Sequence, residues 1–129
     1  MDENAGQIRD YRDLIVWKEA MDIAEQVYSL TRSFPREEAF GLTAQMRRSA
    51  VSVASNIAEG FGRAQRRSFV QFLRIAQGSL KELETQALIA ARVGLLSVQQ
   101  VASLMDQTGR LGKRLVQFVR SLERPSPVP

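Results

Sequence analysis

The side chains in this sequence that could do chemistry are carboxylates, guanidiniums and ammoniums; histidine and cysteine are both missing. Without histidine the usual neutral-pH general base and the commonest transition-metal ligand are gone. Without cysteine there is no disulfide framework and no thiolate zinc site. Three carboxylates, Glu59, Glu82 and Glu84, fall on adjacent inner helices. A carboxylate-bridged dimetal centre in a helical bundle uses such residues, but it normally adds a Glu-x-x-His pair that this chain cannot supply. Structural salt bridges are the better account of them. There is no GxxxxGK[ST] phosphate loop, no GxSxG elbow and no Ser/His pair. The expectation is a non-enzymatic protein with no catalytic residues, no metal site and no cofactor.

The basic residues are the remaining functional candidates. Arg63, Arg66 and Arg67 cluster in one turn. Arg74 and Lys81 stand seven residues apart on the third helix, and Arg110, Lys113, Arg114, Arg120 and Arg124 populate the fourth. Neutralising phosphates needs only such charges, and that term dominates non-specific nucleic-acid affinity. The candidate contacts to RNA or DNA are Arg63, Arg66, Arg67, Arg74, Lys113 and Arg114. No recognised nucleic-acid motif or aromatic platform accompanies them, and solvated helix faces explain the same residues. The charge is also unevenly placed. Residues 1–40 hold nine acids and five bases, a net of −4; residues 41–129 hold five acids and thirteen bases, a net of +8; together they give the overall +4. Such asymmetry suits a polyanionic partner or self-association of an acidic face with a basic one.

The elements that position these residues are helices. Leu14, Trp17, Met21, Ala24, Tyr28 and Thr31 are spaced 3-4-3-4-3, which predicts a first helix with Asp13 as N-cap. Phe34-Pro35 ends it. A second helix, with Thr43 as a possible cap, buries Leu42, Met46, Ser49, Ala50, Val53, Ile57 and Gly60. Beside that face runs a polar stripe of Gln45, Arg48, Ser52, Asn56, Glu59 and Arg63. Unpaired buried polar groups cost about 1–3 kcal/mol each, so the stripe should join a hydrogen-bonded network. Gly60-Phe61-Gly62 breaks the helix, and a basic turn follows.

Ser68 would cap a third helix buried along Phe69, Phe72, Leu73, Ala76, Leu80, Leu83, Ala87 and Ala90. Ser79, Glu82 and Gln86 mirror the polar stripe, and Glu82 is expected to pair with Arg48 or Arg63. Gly78 should mark a close contact. Gly94 is a C′ candidate, and Ser97 caps a fourth helix with an apolar face from Val98 to Leu122, in which Gly109 and Gly112 allow close approach. The expected architecture is all-α: a flexible arm over 1–12, an antiparallel up-down-up-down four-helix bundle over 13–124 and a disordered tail over 125–129. No apolar run approaches the ~20 residues needed to span a bilayer. The acidic, polar N-terminus is unlike a signal peptide, so a cytoplasmic location is expected.

The segments SFPREE, LTAQMRRSAVS, NIAEG and AQGSLKELE, within a stretch from Leu14 to Leu96, resemble the bacterial 23S rRNA-intervening-sequence proteins. The resemblance implies a four-helix bundle that assembles as a homopentamer, of largely undefined cellular role. A more distant likeness is to the accessory protein of diversity-generating retroelements, a basic pentamer that associates with a reverse transcriptase and binds nucleic acid. Arg48, Ser52, Asn56, Glu59, Ser79 and Glu82 match the family's polar positions. The reading that results is an oligomeric scaffold or adaptor that binds RNA or DNA through a basic surface. The alternative is a purely structural protein-interaction module.

Overall fold

The computed structural model describes residues 8–125. Four helices form the bundle: α1 (Ile15–Thr31), α2 (Leu42–Gly62), α3 (Arg66–Arg92) and α4 (Val98–Glu123). Each packs on its two neighbours in an up-down-up-down ring, α2 and α3 most extensively and α1 and α4 least. Residues 1–7 of the expected arm and 126–129 of the expected tail lie outside the described residues.

The chain enters α1 through a 3-10 turn, Tyr11–Asp13. Asp10 is the N-cap of this turn, and Asp13, three residues later, accepts the Arg9 and Asp10 amides in a capping box; Asp13 therefore does not cap α1, whose N-cap is Leu14, without a side-chain cap bond. The Arg12 guanidinium donates to both Asp10 carboxylate oxygens at 2.8 and 3.0 Å. This hydrogen bonding, with a further bond from the Arg12 amide, holds the Asp10 carboxyl down at about 2. Tyr11 lies edge-on to Trp17, with ring centroids 5.3 Å apart. The residues nearest α1 are therefore docked on the bundle rather than part of a free arm.

The buried face of α1 is Val16, Ala20, Ile23, Val27 and Thr31. It is rotated by about a quarter turn from the stripe expected from spacing, and Met21 and Tyr28 are 44% and 41% exposed. Both arcs of this helix are apolar, so periodicity gives the period but not which arc faces inward. The outer arc is covered differently: Tyr11 packs on Trp17, and the Arg47 guanidinium sits 4.5 Å over the Tyr28 ring. Arg47 Nε also donates to Thr31 Oγ1 at 2.9 Å, tying the end of α1 to α2.

Glu38, rather than Thr43, caps α2: its carboxylate accepts the Leu42 amide at 3.2 Å. The helix runs through Gly62, and three residues, Arg63 to Gln65, link it to α3. Ala64 holds φ 63, a left-handed conformation that costs a non-glycine residue about 1–2 kcal/mol. Ser68 is already inside α3; the capping position is Gln65, which makes no side-chain cap bond. After α3, Gly94 has φ 82. The Leu95 amide donates back to the Ala90 carbonyl at 2.8 Å and the Gly94 amide to Ala91 at 3.1 Å, the Schellman pattern. Ser97 and Gln100 then form a capping box that starts α4. Val98 is exposed at this end.

The core joins these faces. Met46, Ile57, Leu73, Leu80, Leu83, Leu104, Leu111 and Leu115 are almost completely buried. At Gly60 an added Cβ would stand 2.6 Å from the Phe72 Cβ, so the α2 backbone packs directly on the phenylalanine side chains of α3. Gly78 is the opposite case: an added Cβ has nothing within 4 Å, so no contact within the chain requires glycine there.

Gly60→Ala should lower stability by ~1–3 kcal/mol through overpacking, and Gly78→Ala should raise it by ~0.5–1 kcal/mol through helix propensity. Urea denaturation midpoints check both. The Asp10 carboxyl should titrate near pH 2 by NMR, and Arg12→Ala should raise it toward the ordinary aspartate value of ~3.9. Because the folded value is depressed, its contribution to stability is present above ~3.9 and fades as pH falls through the folded value.

Candidate nucleic-acid interface

Between α2 and α3 the polar stripe resolves into a small network and a solvated remainder. Ser52 Oγ and Ser79 Oγ share a hydrogen bond of 2.8 Å, with Ser79 buried. The Asn56 amide donates to the Ser52 carbonyl at 2.8 Å and to Ser52 Oγ at 3.0 Å. Gln45 and Arg48 are exposed, and Glu59 and Arg63 form a surface i,i+4 pair at 2.9 Å. The Arg63 guanidinium also lies 5.0 Å over the Phe72 ring. The expected pairing of Glu82 does not occur. Glu82 is exposed, with no hydrogen-bond or ion-pair partner among the described residues. Three residues on from Ser79, a net rotation of about 60°, it is turned away from the seam toward solvent, where its charge needs no partner.

The cations gather on another seam. α3 and α4 are less closely packed than α2 and α3, and two concavities lie along the join. The lower, of about 780 Å³, is lined by Arg66, Arg67, Val70, Arg74, Leu122 and Arg124, with Glu123 as its acid. The upper, of about 720 Å³, is lined by Leu80, Lys81, Gly109, Gly112, Lys113, Val116 and Arg120, with no acid. Arg67, Arg74 and Lys81 recur every seven residues along one wall, and Lys113 and Arg120 do the same along the other. Seven residues are about 10.5 Å of helix, so the ladder on α3 spans about 21 Å.

Some of these cations are already engaged. Arg74 Nη2 meets Glu123 Oε2 at 2.8 Å, and Lys81 Nζ meets Glu84 Oε1 at 3.1 Å. Glu84 is held firmly: its side chain is 12% exposed, and its other oxygen accepts the Thr108 hydroxyl at 2.7 Å. Arg66, Arg67, Lys113, Arg120 and Arg124 have no carboxylate partner among the described residues. Arg66 and Arg67 also stand in the first turn of α3, which contains no acid and has no side-chain cap. The helix dipole disfavours a cation there, by ~0.3–1 kcal/mol at an exposed site. The same placement adds the free amides of the helix end to the positive field, which suits an anion.

Of the six arginines and lysines singled out from the sequence, the structure brings Arg66, Arg67 and Arg74 together in the lower concavity and puts Lys113 in the upper. Arg63 lies apart, at the end of α2 with Glu59 and Phe72. Arg114 lies on the far flank of α4, where its Nε meets Glu19 Oε2 at 3.0 Å. That pair joins α1 to α4, so part of the charge asymmetry between the two chain segments is balanced within one subunit.

A family model described as 23S rRNA-intervening sequence protein matches residues 12–117, from the 3-10 turn through most of α4. The chain belongs to that family. Among solved structures it is similar to a protein of unknown function from the S23 ribosomal protein family of Bacteroides thetaiotaomicron. The TM-score is 0.74 at 21% identity, over 82% of this chain and 99% of that one. At that identity the likeness concerns the fold alone. A comparison with curated proteins finds no match. No helix among the described residues is long and apolar enough to cross a membrane.

Within this family fold, Lys81, Arg120 and Arg124 belong to the groove as fully as the residues singled out from the sequence. The seven-residue recurrence of cations on two helices that the topology makes neighbours finds Lys81 and Arg120; Arg124, four residues after Arg120, is placed by the lining of the lower concavity. The α2–α3 seam has a structural role that a double-mutant cycle can isolate. Ser52→Ala and Ser79→Ala should each lower stability by ~1–2 kcal/mol, since each leaves the other hydroxyl short of a partner. The double variant should lose less than the sum of the two in denaturant titrations.

Proposed function

We propose that this protein is a non-enzymatic, oligomeric scaffold that binds RNA or DNA through the α3–α4 groove. The observation that carries this reading is the group of five cations without carboxylate partners on one seam, two of them at a helix end that disfavours them. Cations dispersed for solubility have no reason to collect there. Phosphates supply both the missing counter-charge and acceptors for the free amides. A scaffold rather than an enzyme is favoured because, of the three carboxylates weighed for a dimetal centre, Glu59 and Glu82 sit in solvent and Glu84 is engaged by Thr108 and Lys81. Among the described residues, no three metal-ligating side chains converge.

Self-association has its own support on the opposite side of the bundle. There α2 presents the small residues Ala44, Ser52, Ser55 and Ala58, with exposed Arg48 and Glu59 among them. It is flanked by exposed Met21 and Tyr28 on α1 and by exposed Ile75 and Ile89 on α3. Such a face suits a protein contact better than open water. With the family resemblance, a homopentamer is the assembly we propose. The more distant likeness makes a reverse transcriptase the first protein partner to seek by co-purification.

Sedimentation of the purified chain should give five copies of 14.5 kDa, about 72 kDa. Fluorescence anisotropy should show nucleic-acid binding that weakens steeply with salt, with log K falling by ~0.7–0.9 per phosphate contacted. Reversing Lys113 and Arg120 to glutamate together should reduce affinity at least ~10-fold. Arg32→Glu, away from the groove, should leave it unchanged. Salt-insensitive binding, or equal loss in both variants, would count against the groove. A pentamer with no nucleic-acid affinity would favour the interaction-module reading.

A further inference from the structure

We infer that the occupant of the α3–α4 groove is an unpaired nucleic-acid strand, held by its phosphates with little discrimination among bases. This rests on the nucleic-acid reading above and specifies the form of the ligand. The groove has two chemistries. Its walls carry the cations, and between them lies apolar surface, offered by half-buried Leu122 below and by exposed Val116 above, over the buried Val70 and Leu80. A duplex hides its base faces and offers only backbone to a protein, so it has nothing to place on such a surface.

Flexibility points the same way. A duplex is stiff over ~150 base pairs, whereas an unpaired strand bends and can splay its bases away from its backbone. A duplex would rest on the rim, reaching the outer cations and leaving the apolar surface uncovered. A single strand can enter, with phosphates toward Lys113 and Arg120 on one wall and Arg67 on the other. The α4 wall is cut low by glycine: a Cβ at Gly109 would meet nothing within 4 Å. The ladder of about 21 Å is short, matching a site near the lower end of the ~4–16 nucleotides that single-strand folds occupy.

Base discrimination should be weak for a chemical reason. No aromatic side chain lines either concavity, so no ring is offered for stacking, and aliphatic surfaces accept every base face alike. Phosphate contacts fix position but carry no sequence information.

The test compares labelled single strands of oligo(dT), oligo(dA) and mixed sequence, each about 20 nucleotides long, with the matching duplex, titrated against the full chain. The expected result is single-strand affinity at least ~10-fold above duplex, less than ~3-fold spread among the single strands, and a salt slope no steeper than about −3.5 from five unpaired cations. Gly109→Leu, which has room for its side chain and a better helix former in place of glycine, should lower single-strand affinity ~10-fold without lowering the melting temperature. Duplex affinity equal to or above single-strand affinity overturns the inference while leaving the nucleic-acid reading intact. So does a folded Gly109→Leu variant that binds a single strand as before. Absence of binding to both forms overturns the two together.

Discussion

Gly60 lies against Phe72, and a side chain at that point would have no space. How closely α2 can approach α3 is set there, and much of the bundle follows from it. Ser49, Ala50 and Val53 continue the same face with small or compact side chains, so the two helices stay close along their length. At this separation Ser52 and Ser79 can share a hydrogen bond instead of each needing water. The three-residue link between the helices adds its own constraint, since Ala64 must take a left-handed conformation to turn the chain so sharply. That strain of about 1–2 kcal/mol persists because the packing on both sides over-determines it.

A bundle with one tight seam is not symmetrical. α3 is drawn toward α2, and its other flank meets α4 more loosely. Gly112 illustrates the difference: a Cβ there would be 3.7 Å from Leu80, an ordinary contact rather than a clash. The groove that results could have been filled by larger apolar residues. It is instead walled by cations, two of them tied down by Glu123 and Glu84 and the rest without partners. Like charges on facing helices repel, and a domain stability of only ~5–15 kcal/mol makes even tenths of a kcal/mol per pair significant. Stability alone does not explain that arrangement; the anionic partner we propose would.

Much of the fold was legible in the sequence, because helix boundaries rest on local chemistry. Pro35, Gly94 and Ser97 punctuate the chain by mechanisms that need no tertiary context, and the faces of α2, α3 and α4 followed from spacing. Local chemistry failed where a preceding turn took up or supplied the cap. Asp13 is engaged in the capping box of the preceding 3-10 turn and leaves α1 without a side-chain cap, and Glu38 reaches forward from a preceding turn to cap α2. It failed again for α1, whose two apolar arcs are distinguished only by what Tyr11 and Arg47 bring to the outer one. Glu82 was misplaced by the assumption that a polar residue amid apolar ones must be buried; Ile75 and Ile89 beside it are themselves exposed. For the candidate site, charge identity was readable and grouping was not. Arg63 is close in sequence to Arg66 yet belongs to another seam, while Arg124 is distant in sequence and joins the same concavity. Only the antiparallel pairing of α3 with α4 sorts them.

The two surfaces also have a geometric relation that bears on the proposed scaffold. α2 stands diagonally across the bundle from α4, so the outer face of α2 and the groove between α3 and α4 need not compete for the same contacts. In the ring we propose, subunits joined through the α2 side would keep their grooves accessible. Each groove is short and offers few cations to phosphates, so each alone would bind modestly at physiological salt. Repetition changes the magnitude: linked sites that can engage one strand together gain a factor of ~10²–10⁴ without any new contact. A weak, sequence-tolerant groove on a subunit that assembles is thus a coherent design, and the oligomer, more than any single arginine, would set the working affinity.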